Sequence, residues 1–250
     1  MSLQDASVVV TGGAKGIGRF IAHTFARQGS RVAIADMDTE RMAGTLAELK
    51  EFGVTAIAVP TDVREDAQMA ALMDRVVREF GRLDVVVNNA GIVPHFSWGV
   101  PRWPAIKDMD ESFWSRVLDT NLLGTFLGTK HALRHMVPQG SGHVLNLHGG
   151  GSGTGAAPYV VSKDAIVVFS RMAAGEVRDA GVFVAAVHPG AAIATEDAPE
   201  EARQRMPGPD IVGDRFVLAA EAGLELSGML LTLKEGKLVG EDWPPPPENR

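Results

Sequence analysis

Short apolar β-like runs alternate with amphipathic helix-like runs along almost the whole chain, and this alternation restricts the fold more than any other feature. Strand-like runs are expected at Ser7–Val10, Arg31–Ala35, Thr55–Val59, Leu83–Val87, Val144–Leu147, Val182–Val187 and around Met229–Leu233. Helical spacing is expected over Ile17–Gln28, Glu40–Phe52, Glu65–Phe80, Glu111–Met136, Pro158–Ala180 and near Asp210–Ala222. Gly29, Gly53 and Gly81 stand just past the first three helices, where a glycine ends a helix most easily. Strands joined by helices pair in parallel through right-handed crossovers, and the helices cover both sheet faces. The expected fold is therefore α/β: one doubly wound, Rossmann-like parallel sheet over residues 1–240. No linker or internal repeat interrupts it. Residues 241–250 carry Pro244–Pro247 in a row and cannot continue a helix or a central strand, so they read as an extended C-terminal tail.

Composition removes several function classes. A net charge of −7 gives no electrostatic support to nucleic-acid or anionic-membrane binding. The absence of cysteine excludes disulfides, thiol catalysis and cysteine-ligated metals. No apolar run is long enough to span a bilayer. The N-terminus enters a strand almost at once, leaving no room for a signal peptide, so the expected location is cytoplasmic.

Thr11-Gly12-Gly13-Ala14-Lys15-Gly16-Ile17-Gly18 joins the first strand to the first helix. Glycines let backbone turn tightly and approach a phosphate, and the helix N-terminus then offers free N–H groups and a positive dipole end. The spacing is Gly-x-x-x-Gly-x-Gly rather than the commoner Gly-x-Gly-x-x-Gly. Asp36 ends the second strand, where a carboxylate accepts hydrogen bonds from ribose hydroxyls and repels a 2′-phosphate. That favours NAD over NADP. Lys15 argues mildly the other way. The plainer reading of Asp36 is a turn or capping aspartate.

Tyr159 is the only tyrosine, and Lys163 follows four residues later on a predicted helix, one turn along the same face. A cation near a phenol favours the phenolate and lowers its pKa from about 10, so the pair reads as a general acid/base. Taken alone, Tyr-x-x-x-Lys is a common coincidence.

Together these motifs resemble the short-chain dehydrogenase/reductase superfamily, over roughly residues 5–240. Further matches follow in order. Asp62-Val63 ends the third strand, where the family contacts adenine. Asn88-Asn89-Ala90-Gly91 ends the fourth and borders the cofactor. Asn121 matches the asparagine of a proton relay, and Pro189-Gly190 lies beside the nicotinamide. The resemblance implies that Tyr159 exchanges a proton with the substrate oxygen during hydride transfer. It implies that Lys163 lowers the tyrosine pKa and holds the ribose, and that Asn121 links Lys163 to solvent. Thr195 is the candidate for the family's nicotinamide-contacting threonine, one residue late. The two long helices resemble the family's subunit-interface helices, so a homodimer or homotetramer is expected.

One element of the pattern is missing. The family usually places at the end of strand five a serine that hydrogen-bonds the substrate oxygen, and here that slot falls on His148 or Gly149. Three readings stay open: His148 replaces the serine, Ser152 folds back into its space, or the slot is empty. A lost oxyanion donor typically costs about a hundredfold or more in rate. The expected activity is NAD-dependent hydride transfer on a secondary alcohol or ketone. The rival is a cofactor-binding protein, or a non-redox enzyme, on the same fold.

The segment Pro94–Pro104 is long for the family and leaves the ligand-binding edge of the sheet. Trp98 and Trp103 are expected to wall an apolar substrate pocket, with Arg102 available for an anion. Packing against a neighbouring subunit or the long helices is the equal alternative. His131, His135 and His143 lack a carboxylate that would complete a metal set, so no metal is expected.

Overall fold

The computed structural model describes residues 2–95, 98–99, 101–150 and 156–242. Eight strands form one sheet in the order β3-β2-β1-β4-β5-β6-β7-β8. They are β1 (Ser7–Thr11), β2 (Arg31–Asp36), β3 (Ala56–Pro60), β4 (Val85–Asn88), β5 (Gly142–Leu147), β6 (Val182–Val187), β7 (Leu230–Lys234) and β8 (Lys237–Glu241). All neighbouring pairs are parallel except β7 with β8. The helices α1 (Gly16–Arg27), α2 (Thr39–Glu51) and α8 (Asp210–Glu221) lie among those that cover the sheet, with α3 (Asp66–Phe80), α5 (Gly124–Gln139) and α6 (Ala157–Val177).

Alternation along β1 explains the layering. Val8 and Val10 join Ile21, Phe25 and Phe216 in one core, while Val9 joins Met69, Leu72 and Val76 in the other. Side chains of a strand alternate faces, so a strand between two helical layers must be apolar throughout. Each fully buried phenylalanine, such as Phe25 or Phe216, contributes about 1.5–3 kcal/mol over exposure. Strand order reverses between β1 and β4, which opens a crevice at the carboxyl ends of these strands. No helix among the described residues is long and apolar enough to cross a membrane.

The structure departs from the sequence expectations in three places. The expected helix Glu111–Met136 is α4 (Glu111–Leu118), a π-helical turn at Asp119–Leu123, and α5. A short helix, α7 (Glu200–Arg205), occupies the segment after Thr195. The unexpected β8 returns through a two-residue turn in which Glu235 and Gly236 have φ of 51° and 76°. Such turns usually carry Asn-Gly or Asp-Gly, so Glu-Gly gave little warning. The proline tail lies outside the described residues.

Candidate active site

The phosphate loop is shaped by glycine geometry and by clamps from β4. Gly12 and Gly16 adopt φ of +66° and +57°, and a Cβ on Gly18 would lie 2.1 Å from the Gly12 carbonyl oxygen. Asn89 Nδ2 donates to the carbonyls of Thr11 (2.8 Å) and Gly12 (3.2 Å). Thr11 Oγ1 accepts from the backbone N–H groups of Asn89 (3.0 Å) and Ala90 (3.2 Å). Asp36 accepts from Ala14 N–H and Asp38 N–H, each at 3.1 Å, and faces the crevice. Asp62 forms a two-pronged ion pair with Arg64, which holds its carboxyl below the usual carboxylate range.

A cavity of about 840 Å³ runs along this edge, a size usual for ligand sites. Every residue expected on the cofactor side lines it except Thr11, which is buried, and Gly190, which is exposed. One feature here had no signal in the sequence. Glu196 Oε1 accepts the Gly16 N–H at 2.8 Å, Lys15 Nζ pairs with Asp197, and Arg41 reaches the same Asp197 carboxylate at 3.1 Å. The segment after β6 is thus clasped onto the phosphate loop. A carboxylate rests on a helix-start N–H whose dipole favours an anion. The loop therefore fits a nucleotide phosphate: it already holds an anionic group there, and its glycines leave the approach open.

Trp98 belongs to the same clasp. Its indole N–H donates to the Ile193 carbonyl at 3.1 Å, its ring stacks on His95 at 3.6 Å, and it packs with Ala194, Ala198 and Ala202. Trp98 lines the cavity, as expected. Trp103 does not: it meets Phe113 edge-on at 5.0 Å. Arg102 is exposed.

Pro158 in the first turn of α6 sets Tyr159 and Lys163 on the face turned to the cavity. Both are buried. Lys163 Nζ donates to the Leu147 carbonyl at 2.8 Å and lies 5.9 Å from the tyrosine ring centroid. The expected lowering of the phenol pKa is absent in this arrangement. Burial pushes Tyr159 up to about 12 and Lys163 down to about 8. Desolvation outweighs attraction to an ammonium turned toward a carbonyl. The phenol accordingly holds its proton near neutrality, the form needed by an acid rather than a base.

Asn121 is fully buried in the π-helical turn. It donates to the Ile92 carbonyl and Ser162 Oγ, both at 3.1 Å, and accepts from Ile92 N–H at 2.7 Å. It ties α4 and α5 to the β4 loop and to α6. Ser162 Oγ in turn donates to the Tyr159 carbonyl at 2.7 Å, so Asn121 steadies the helix that carries Tyr159.

The serine slot is resolved by Gly149. A Cβ there would lie 2.0 Å from Tyr159 Oη, so the phenol itself fills the space of the missing side chain. His148 is buried, with Nε2 3.8 Å from Asp164 Oδ1 and its ring 5.4 Å from that of His188. Burial first, then His188 and Lys163, push its pKa down to about 4, which leaves it neutral. Ser152 lies outside the described residues. His188, which the sequence reading passed over, lines the cavity, and its Nδ1 accepts the Gly190 N–H at 2.9 Å. His131 and His135 pair separately with Asp66 and Asp74, each at 2.9 Å, and His143 meets the Ala222 carbonyl. Among the described residues no group of three or more histidines, aspartates or glutamates converges as a metal would require.

Known proteins are similar to this chain in sequence and fold. The short chain dehydrogenase family model matches residues 6–205. Momilactone A synthase of Oryza sativa subsp. japonica is 39% identical over 226 residues, covering 89% of this chain and 77% of the relative. The 3beta-hydroxysteroid dehydrogenase 2 of Eggerthella lenta is 34% identical over 192 residues, covering 75% and 71%. A short chain dehydrogenase from Burkholderia cenocepacia in complex with NADP superposes with a TM-score of 0.81 at 27% identity, covering 94% of this chain and 99% of the other. An NAD+-bound xylitol dehydrogenase superposes with a TM-score of 0.72 at 27% identity, covering 82% and 75%.

Proposed function

The chain belongs to the short-chain dehydrogenase family, and we propose that it is an NAD-dependent oxidoreductase acting on a secondary alcohol or ketone with Tyr159 as general acid/base. The observation that carries this reading is the convergence of Tyr159 and Lys163 on the cavity that also contains the phosphate loop. When bound, the nicotinamide supplies or accepts the hydride. The loop from Gly12 to Gly18 would hold the diphosphate, Asp36 the adenosine ribose, and Lys163 the nicotinamide ribose. Tyr159 gives its proton to the substrate oxygen in reduction and takes it back in oxidation.

The NAD preference is supported by Asp36, whose carboxylate faces the crevice and would repel a 2′-phosphate. An assembly of two or four copies is supported by the apolar side chains exposed on or beside α5 and α6, namely Leu123, Phe126, Val137, Val161, Val168 and Met172. The test is NADH consumption by the purified protein with cyclohexanone, acetophenone and 2,3-butanedione, beside Tyr159→Phe. Turnover that disappears in the variant supports the assignment. Turnover that survives it removes Tyr159 from the chemistry.

A further inference from the structure

We propose that His188 takes the place of the family's serine, its Nε2–H holding the substrate oxygen beside Tyr159. The inference rests on the oxidoreductase reading above and adds the second contact that this reading lacks.

The vacancy comes first. Gly149 and Gly150 face the cavity without side chains, and Gly149 is pressed against the Tyr159 hydroxyl, so neither supplies a side-chain donor to the reacting oxygen. His148 also borders the cavity, but only 4% of it is exposed and its Nε2 lies 3.8 Å from Asp164 Oδ1 on α6. His188 directly follows β6 and stands beside His148, since Leu147 pairs with Val187 in the parallel register. It is half-buried rather than sealed.

The tautomer comes next. Gly190 N–H donates to His188 Nδ1, so Nδ1 carries the lone pair. A neutral imidazole with Nδ1 as acceptor bears its proton on Nε2. Burial, and then Arg215, hold the ring below its ordinary pKa, which keeps it neutral around pH 7. The Nε2 atom points at the bare glycines: it would lie 3.5 Å from a Cβ on Gly150, the residue after the one touching Tyr159 Oη. The Nε2–H and the phenol therefore converge on one stretch of side-chain-free backbone.

The chemistry balances with the imidazole unchanged. As the carbonyl carbon gains its new C–H bond, the π pair of C=O moves onto oxygen. The Nε2–H stabilises the growing charge, and Tyr159 delivers the proton that neutralises it. Preorganised donors of this kind are typically worth about 10²–10³ in kcat.

A purely structural histidine would serve only to brace the Pro189-Gly190 turn through Nδ1. Two substitutions separate the roles. His188→Asn keeps an acceptor near the Nδ1 position but has nothing at Nε2. His188→Gln can place an amide N–H near the Nε2 position while giving up the turn contact. With cyclohexanone and NADH we expect kcat in His188→Asn to fall about a hundredfold or more, with the NADH dissociation constant, read by fluorescence, unchanged. His188→Gln should retain activity within about tenfold of wild type. The opposite order, with Asn active and Gln impaired, overturns the proposal. If Tyr159→Phe is inactive but His188→Asn is fully active, the oxidoreductase reading stands and this inference falls. Imidazole ¹H–¹⁵N NMR tests the premise without any turnover. A neutral His188 protonated at Nε2 is the expected result, and a proton on Nδ1 refutes the assignment.

Discussion

Restoring the family's serine with Gly149→Ser should damage this protein rather than improve it. A Cβ at residue 149 would lie 2.0 Å from Tyr159 Oη, whereas ordinary contact begins at 3.4 Å, so the phenol must retreat by about 1.4 Å. The neighbouring wall cannot give way easily, because Gly149 directly follows His148, a buried residue just past β5 whose N–H donates to the Val187 carbonyl at 2.9 Å. Misplacing a reacting group by about 1 Å typically costs about 10²-fold, close to 2.7 kcal/mol at 1.36 kcal/mol per decade. We expect kcat/KM for NADH-driven ketone reduction to fall about 100-fold or more in Gly149→Ser. Gly149→Ala should fall by a similar factor, because the damage comes from Cβ and not from the hydroxyl. Nucleotide affinity should hold, since the phosphate loop is untouched. The assay is steady-state absorbance at saturating NADH, with the dissociation constant measured in parallel. A serine variant faster than wild type would refute the reasoning, for it would show that the slot is open and that the phenol does not occupy it.

Three further outcomes are expected. Glu196→Gln removes the carboxylate held on the Gly16 N–H, and the NADH dissociation constant by calorimetry should fall about two- to fivefold, the usual worth of one charge at a helix start. Asp36→Ala should shift the NAD/NADP affinity ratio at least about tenfold toward NADP, and should cost about 1 kcal/mol of stability through the lost Ala14 and Asp38 contacts. Lys163 is buried with its folded pKa lowered to about 8 from 10.5, so the unfolded chain binds more protons between these values and stability rises with pH across them. Below pH 8 the penalty is complete. Chemical denaturation of the nucleotide-free protein at pH 7.5 and 10 should show a gain in wild type, up to about 3 kcal/mol, that is missing in Lys163→Met.

The sheet was legible because β1, β4 and β6 are apolar on both faces, as a parallel sheet covered by helices on both sides requires. The phosphate loop and the Tyr159–Lys163 pair were legible because their members are close in sequence, and Asp36 because it ends the strand that pairs with β1. What stayed hidden depends on chain segments meeting across the fold. Glu196 and Asp197 reach residues 15, 16 and 41 over more than 150 positions, and nothing local marks that meeting. Trp98 was read as a pocket wall, and half of its role, the hydrogen bond to Ile193, is likewise remote. The π-helical turn at Asn121 adds one residue to a helix whose periodicity looked continuous from residue 111. His188 was passed over because its value rests on one tautomer, fixed by a backbone N–H that composition and periodicity do not reveal.

The clasp of Glu196, Asp197 and Trp98 also bears on the timing of ligand traffic. A nucleotide phosphate that docks on the Gly16 N–H must displace Glu196 from it. Docking that waits on this displacement predicts an association rate that levels off with nucleotide concentration once the displacement becomes the slower event. Departure obeys the same gate in reverse. The same segment carries Thr195 and Ile193, which line the cavity, so one short stretch of chain touches both the phosphate loop and the cavity wall.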